Sequence, residues 1–444
     1  MKRFIFIISA SIVASTSQYA ADVRHLTLTE AVHLAISQNR ALKIARLKVA
    51  ENHQKKAAQR SAYFPSLTNE SKLLHVTSLQ NIGIPAGAFG VAGGSLVPGQ
   101  NTIIPQGHTN LYMSGTQLSQ PLTQLIRIHD ANAVAAADIA ISQDDLKKAE
   151  NEIALQVHSV YYGILIAKLQ KQAAEQQTKY ADQNLRESED DIRNGNALKV
   201  AAIQGQATLL ESQQAVLTAD VQLADLTTEL NDLLGLPLDT QLDLDAAVTT
   251  AFEERSREEY EQTAWSQNPQ IKAAEDAVGK ARAAVASAKA AYIPDVTAFA
   301  RQSYQDGFPF LVRNFGTFGI SMNWEVFDFG KRRANVRESE DQLVEAEENV
   351  RRLKEEVAVS IKRSYDKVQR TKSMVAVAQQ VVSLREESER LAQNQLAQGV
   401  VLISDRRQAT AKTYQAQADW LQANLSYLLA WAELQESAGI TAGF

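Results

Sequence analysis

Two stretches of this chain, residues 122–194 and 331–398, run for roughly seventy residues each without a proline, and Gly163 is the only glycine in either. Each would be about 100 Å long as one helix, against a usual mean of about 11 to 12 residues. No compact core needs such a helix. In the second run Leu343, Val350 and Val357 recur at seven, the step drops to four at Ile361, and sevens resume at Val368, Val375 and Val382. In the first run Ile139, Leu146 and Ile153, a step of four to Val157, then Ile164 give the same sequence of steps. A four-residue insertion in a heptad locally unwinds a supercoil. The chain therefore carries two copies of one long coiled-coil helix, interrupted at the same place.

The segments before the long helices repeat as well. Thr27 and Glu30 make a capping box for a short helix carrying Ala31, Leu34 and Ala35 on one face. Gln38-Asn39 interrupts it, and a second helix from about residue 40 to 62 stops at Tyr63-Phe64-Pro65, because the residue before proline is pushed out of helical geometry. At an offset of 229 the same grammar returns as Gln267-Asn268-Pro269, an alanine-rich helix, and Tyr292-Ile293-Pro294. From Glu152 to Gly235 the second half follows at an offset of 204: Tyr161 falls on Tyr365, Gly195 on Gly399, Leu198 on Leu402, Gln204 on Gln408 and Gly235 on Gly439. Gly195 and Gly399 are expected to end the long helices as left-handed caps and reverse the chain into return helices, which Gly235 and Gly439 end in turn.

Between the Tyr-x-Pro motifs and the long helices the period changes from 3.6 to 2. Phe318, Ile320, Met322, Trp324 and Val326 alternate with Gly319, Ser321, Asn323 and Glu325, the pattern of a strand with lipid on one side and water on the other. Seven of the thirteen phenylalanines lie between Phe299 and Phe329, a density that fits the aromatic girdles of a membrane barrel. The first half has strands around 67–76 and 110–118 with a blurred alternation. Its extra residues 81–107 hold seven of the twenty glycines and three prolines, and are expected to form a flexible loop at a hairpin tip.

The domain reading that follows is residues 1–21 an export signal and 22–235 a first repeat, made of short helices, a strand pair about 66–118, a long helix 122–194 and a return helix 198–234. Residues 236–265 are a linker, 266–439 a second repeat with a strand pair about 295–327, a long helix 331–398 and a return helix 402–438, and 440–444 a tail. The export signal rests on Lys2 and Arg3, the apolar run Phe4 to Val13, and a small and polar segment to Ala21. Beyond it no apolar run approaches the 18 residues of a spanning helix, so membrane crossing has to be by strands. The net charge of −6 has both signs interspersed, which argues against a nucleic-acid partner. The absence of cysteine removes disulfides, thiol catalysis, thiolate zinc sites and a lipid anchor on cysteine.

The duplicated order of Thr-Leu-x-x-Ala helix, Gln-Asn, Tyr-x-Pro, strand hairpin, long helix, glycine-capped turn and terminal Leu-Gly, with Phe327-Asp328-Phe329-Gly330-Lys331-Arg332 in the second half, resembles the TolC-like outer membrane efflux proteins, or outer membrane factors. The resemblance implies a mainly α fold with a small β portion. Duplicated coiled-coil helices form an α-barrel, and four strands per chain join a trimeric 12-stranded barrel in the outer membrane. It also implies a homotrimer that meets a periplasmic adaptor and an energised inner-membrane pump, and acts as a passive, gated conduit without a cofactor. Four strands cannot close a barrel, and an open edge in lipid leaves backbone groups unpaired at several kcal/mol each, so the residues themselves also ask for several copies. One departure stands out. Pro121-Leu122-Thr123-Gln124-Leu125 occupies the place where the family turn has aspartate and glycine, so only Asp328 and Gly330 keep that strand-to-helix turn.

Other motifs carry no chemistry. Asp328-Phe329-Gly330 lacks the accompanying kinase motifs, Gly87-Ala88-Phe89-Gly90 lacks the lysine and helix start of a phosphate loop, and no two histidines are spaced to share a helix face. The histidines are expected at the surface. Candidate functional positions are the tips, Asn194, Gly195 and Asn196 with Gly399, Val400 and Val401, which in the family meet the adaptor. Asp405 and Gln408 fall where a known member of the family keeps acids that ring a constriction. Three carboxylates on one axis would favour cations; equally, Asp405 is a first-turn acid facing a helix dipole. Two rival readings are a periplasmic coiled-coil adaptor or structural protein, which would carry one helical hairpin rather than two, and an enzyme, for which no nucleophile–base pair or metal cluster is visible.

Overall fold

The computed structural model describes residues 23–245, 255–308 and 311–440; the expected export signal lies outside them. The elements in chain order are β1 (Arg24–Leu26), α1 (Leu28–Gln38), α2 (Arg40–Ser61), β2 (Ser66–His75), β3 (Asn81–Ile84), β4 (Val91–Ala92), β5 (Ser95–Leu96), β6 (Thr102–Pro105), β7 (Asn110–Pro121), α3 (Leu125–Arg193), α4 (Lys199–Leu234), β8 (Leu242–Leu244), α5 (Arg257–Gln267), α6 (Pro269–Ala290), β9 (Asp295–Asp306), β10 (Asn314–Asn323), α7 (Lys331–Ala397) and α8 (Ile403–Ser437). The fold is mainly helical, with two very long helices, α3 of 69 residues and α7 of 67. All twelve positions of the two 7-7-4-7 series are buried or half-buried. No described helix is long and apolar enough to cross a membrane.

The chain divides into two compact units. One holds residues up to Arg46, Leu146–Pro269 and everything from Lys354. Its core joins Ala31, Val32 and Ala35 of α1, Val157, Tyr161 and Leu165 of α3, Leu230 and Leu234 of α4, and Leu425 and Leu428 of α8. Tyr161 is fully buried, and its hydroxyl lies 3.0 Å from the carbonyl of Leu26 and 2.8 Å from that of Asp245. It thereby ties the parallel pair β1·β8 to the long helix. Burial pushes this phenol up to about 12, since the anion would lose its hydration.

In this unit each Gln-Asn motif serves as a lock. Asn39 caps α2 through the Ala41 N–H (2.9 Å), and its amide donates to the Leu233 carbonyl in the last turn of α4 (3.2 Å). Asn268 does the same for α8, donating to Ser437 (3.0 Å). The glycines that end those helices, Gly235 (φ 68°) and Gly439 (φ 78°), let the corners approach: a Cβ on Gly439 would lie 2.5 Å from Asn268 Cα, and one on Gly235 3.3 Å from Gln38 Cβ.

The other unit holds Leu47–Asp145 and Gln270–Leu353. Its four-stranded antiparallel sheet has the order β10-β9-β7-β2. Every residue of β2 and every residue of β10 except Gly319 is exposed, with Phe318 at 89%. The Phe318 face has an apolar row of Leu67, Leu118, Ala300 and Phe318; the opposite face carries Thr68, Gln117, Arg301 and Thr317. Gly115 leaves room for the Arg301 guanidinium, whose Nη2 would lie 2.5 Å from an added Cβ.

Four expectations need correction. Residues 81–107 are not a bare loop: β3 pairs with β6 and β4 with β5, extending the hairpin, because Ile82 and Val91 sit opposite Ile104 and Leu96. The linker is shorter than 236–265, since Ser256 and Glu259 form a second capping box and open α5, which repeats Thr27, Glu30 and α1 at the same offset of 229. The alternating strand ends at Asn323 rather than reaching residue 327, as Arg332 reaches back to the Glu325 carbonyl and bends the chain into a turn. Finally His158 is buried, not on the surface, with its ring edge-on to Tyr162 at 5.9 Å.

Candidate functional site

The two tips are built alike. At the end of α3, Gly195 (φ 74°) donates to the Ile192 carbonyl (3.1 Å) and Asn196 to Asp191 (2.8 Å); at the end of α7, Gly399 (φ 71°) donates to Leu396 (3.0 Å) and Val400 to Gln395 (2.9 Å). This paired bonding satisfies the last carbonyls of each helix and needs a left-handed residue at the glycine. Beyond the turns, Leu198 and Leu402 cap the return helices and are exposed with Val200, Ile203, Val400 and Ile403. Leucine has no acceptor for a helix N–H, so the two starts differ. In the second tip the Asp405 carboxylate accepts the Leu402 N–H (3.0 Å). In the first tip the equivalent residue is Ala201, and no such bond forms.

Behind the tips, four helices stand in a row. Asp220 of α4 meets Lys171 of α3 (2.5 Å), and Leu185 of α3 fills the space over Gly205 of α4. Three polar contacts join α3 to α8: Ser404 N–H to the Glu187 carboxylate (2.9 Å), the Gln408 amide to Tyr180 Oη (3.2 Å), and the Gln170 amide to that of Gln422 (3.4 Å). α8 is joined to α7 by Thr410 and Glu389 (2.7 Å) and by Lys367 and Glu433 (2.6 Å). The order is α4, α3, α8, α7. Asp405 is exposed, whereas Gln408 is half-buried against Tyr180. The two are one turn apart but serve different neighbours.

The turn at Asp328 is a compact charged knot. One carboxylate oxygen accepts the Gly330 N–H (3.1 Å), the other the Arg332 N–H (3.0 Å) and its guanidinium (2.6 Å). Arg332 holds the carboxyl below the usual carboxylate range. The left-handed Phe329 (φ 53°) and Gly330 (φ 91°) reverse the backbone and leave Phe329 almost wholly exposed, its ring 4.7 Å from Phe327. In the first half Thr123 does the equivalent work: its hydroxyl donates to the Pro294 carbonyl (2.7 Å) and accepts the Val296 N–H (2.9 Å). Among the described residues no group of three metal-ligating side chains gathers.

Sequence reasoning missed three features. The Arg301–Gly115 fit was invisible until the strand register was known. The asparagine locks were signalled by Asn39 and Asn268 recurring at one offset, and the α3·α8 contacts join residues more than 200 positions apart.

Comparison with known proteins agrees with this architecture. The family described as "Outer membrane efflux protein" matches residues 31–236 and 261–440. The chain is similar to the alkaline protease secretion protein AprF of Pseudomonas aeruginosa, 23% identical over 339 residues, which make up 74% of this chain and 70% of that protein. Its fold is similar to the CmeC outer membrane channel of Campylobacter jejuni, with a TM-score of 0.75 at 16% identity, covering 94% of this chain and 86% of that one. It is similar also to the outer membrane protein VceC of Vibrio cholerae, with a TM-score of 0.71 at 14% identity, covering 93% and 96%.

Proposed function

Since the chain belongs to the outer membrane efflux protein family, we propose that three copies of it form a passive, gated conduit through the outer membrane and periplasm. It is an outer-membrane channel subunit of a tripartite efflux or type I secretion system. The family and fold are those of channels rather than enzymes. The observation that carries the reading is the four-stranded sheet. Phe318, Ile320 and Met322 are bare on one face, Arg301 and Thr317 lie on the other, and among the described residues no strand pairs with the outer side of β10 or β2. In water such a sheet exposes apolar surface; in lipid its open edges cost several kcal/mol per unpaired group. Closure into a ring of copies removes both difficulties, and three copies would give twelve strands.

Within this reading the partners are a periplasmic adaptor and a proton- or ATP-driven pump, with no nucleic acid. The adaptor would meet the tips at Asn194, Gly195 and Asn196 and at Gly399, Val400 and Val401, where exposed Leu198, Val200, Leu402 and Ile403 offer apolar contact. Asp405 and Gln408 would face the constriction, and Asp328 with Gly330 would set the strand-to-helix turn. Residues 1–21 would direct export, and without cysteine the protein would carry no lipid. AprF is by its name a protease secretion protein, which favours a macromolecular cargo over a small drug. The test is conductance in a planar bilayer: the purified protein should insert as a heat-modifiable trimer and give discrete channel openings. A soluble periplasmic monomer without conductance refutes the reading.

A further inference from the structure

The acidic and basic side chains on the four strands of the sheet, histidine aside, are Glu70, Lys72, Asp295, Arg301 and Asp306; β7 and β10 carry none. Four of them have partners. Glu70 and Lys72 pair with each other at 2.7 Å, Asp295 pairs with Arg127 of α3, and Asp306, at the end of β9, pairs with Arg313 at 3.3 Å. Arg301 is left over. It is exposed, and among the described residues no carboxylate lies within ion-pair distance of it and no group accepts a hydrogen bond from its guanidinium. The face that carries Arg301 also carries Thr68, Gln117 and Thr317 in the same row, with Glu70 and Gly115 in the next. Glu70 and Lys72 cancel, so the sheet presents one unbalanced positive charge per copy on the side away from Phe318.

This free cation is held in place. Its guanidinium lies over Gly115, where an added Cβ would be 2.5 Å from Nη2, 2.7 Å from Nε and 3.0 Å from Cζ. Gly115 is buried beneath it and is not among the positive-φ glycines, so the backbone there does not require glycine; the space does. A glycine inside a strand weakens it and marks a close approach, and what approaches here is Arg301. The result is a guanidinium fixed by shape on a β-strand, with its hydrogen-bond donors turned to solvent. A guanidinium fork matches carboxylate and phosphate oxygens two at a time.

We infer that Arg301 is an anion-binding station in the lumen of the barrel, repeated once per copy as a ring of guanidiniums, with Gly115 as its positioning residue and multivalent anions as its ligands. The inference rests on the channel reading above and adds a second selectivity element, opposite in sign to one built on Asp405. Lumen placement follows from the row itself: Arg301 and Phe318 stand in one row on opposite faces, and a cation is costliest on the lipid face near mid-bilayer. Multivalency follows from arithmetic. One charge pair at about 4 Å in water favours binding only about fivefold, whereas several guanidiniums acting on one polyanion multiply that factor. Salt shortens their reach, from about 30 Å at 0.01 M to about 3 Å at 1 M.

The test is block of single channels in a planar bilayer by tripolyphosphate. No described helix can cross a membrane, so the sheet enters the bilayer and the probe is placed in the chamber opposite the added protein, where it meets the barrel first. At about 0.05 M KCl the wild type should be blocked, and at about 1 M KCl the block should vanish. Arg301→Gln should raise the half-blocking concentration about tenfold or more, and Arg301→Lys, which keeps the charge but not the fork, should recover part of the loss. Gly115→Val keeps Arg301 and displaces its guanidinium, so it should weaken block severalfold, which a role confined to strand packing would not do. Each variant is first shown to form the heat-modifiable oligomer, so that a folding defect is not read as lost binding. If the wild type conducts but is not blocked from that side, or if Arg301→Gln is blocked at the wild-type concentration, the anion station is overturned while the channel reading stands. If the wild type gives no conductance, the channel reading itself fails.

Discussion

Four glycines with nearly the same backbone conformation stand in different surroundings, and alanine at each separates backbone strain from crowding. Gly195, Gly399, Gly235 and Gly439 have φ of 74°, 71°, 68° and 78°. Forcing an L-residue into this region costs about 1–2 kcal/mol wherever it happens. At Gly195 and Gly399 nothing lies within 4 Å of an added Cβ, so Gly195→Ala and Gly399→Ala should cost that strain alone. At Gly235 the new atom would sit 3.3 Å from Gln38 Cβ and carbonyl oxygen, which a shift of a few tenths of an ångström relieves. At Gly439 it would sit 2.5 Å from Asn268 Cα and 2.7 Å from its nitrogen. There the main chain has to move, adding about 1–3 kcal/mol of overpacking, and the asparagine bond to Ser437 lengthens with it. The expected order of apparent Tm, followed by circular dichroism on detergent-solubilised protein, is Gly195→Ala and Gly399→Ala highest, then Gly235→Ala, then Gly439→Ala. A Gly439→Ala protein as stable as Gly399→Ala would refute the role given to the asparagine locks, and a tip variant that melts first would refute the whole ranking.

Tyr161→Phe keeps the ring and removes the hydroxyl that bridges to Leu26 and Asp245, so thermal or denaturant unfolding should show a loss of about 1–2 kcal/mol for buried carbonyls left short of a donor. The phenol is held protonated up to about 12 in the folded chain against 10.0 unfolded, so its contribution is complete below pH 10 and is lost as pH rises towards 12. An alkaline melting series should therefore converge for wild type and Tyr161→Phe at the top of that range, and parallel curves would contradict it. Asp405→Ala removes one acceptor at the start of α8, at a cost of about 0.5–1 kcal/mol; if Asp405 also rings a constriction, block of conductance by multivalent cations should weaken with assembly unchanged, and unchanged block leaves it only the helix-capping role.

The long helices were legible because their signal is redundant: over sixty residues, a 7-7-4-7 register, the lack of proline and a second copy all agree, and every position of the series is buried or half-buried. The alternating strand was legible on one side only. Phe318, Ile320 and Met322 announce a face that meets lipid, but β2 and β7 mix Ser71, Asn69 and Thr116 into the same face, so period alone could not fix their phase, and pairing across strands does. The second capping box was missed for a different reason. Ser256 and Glu259 lie among other acids, and they stand out only once Thr27 and Glu30 are shifted by 229. The candidate site was the least legible, because a tip glycine is a local feature while Tyr180–Gln408 and Glu187–Ser404 depend on where two distant helices meet. Once one such meeting is known, however, duplication turns a long-range fact into a predictive one. Pairing of residues in one half fixes pairing in the other, as Leu67–Leu118 fixes Val296–Met322.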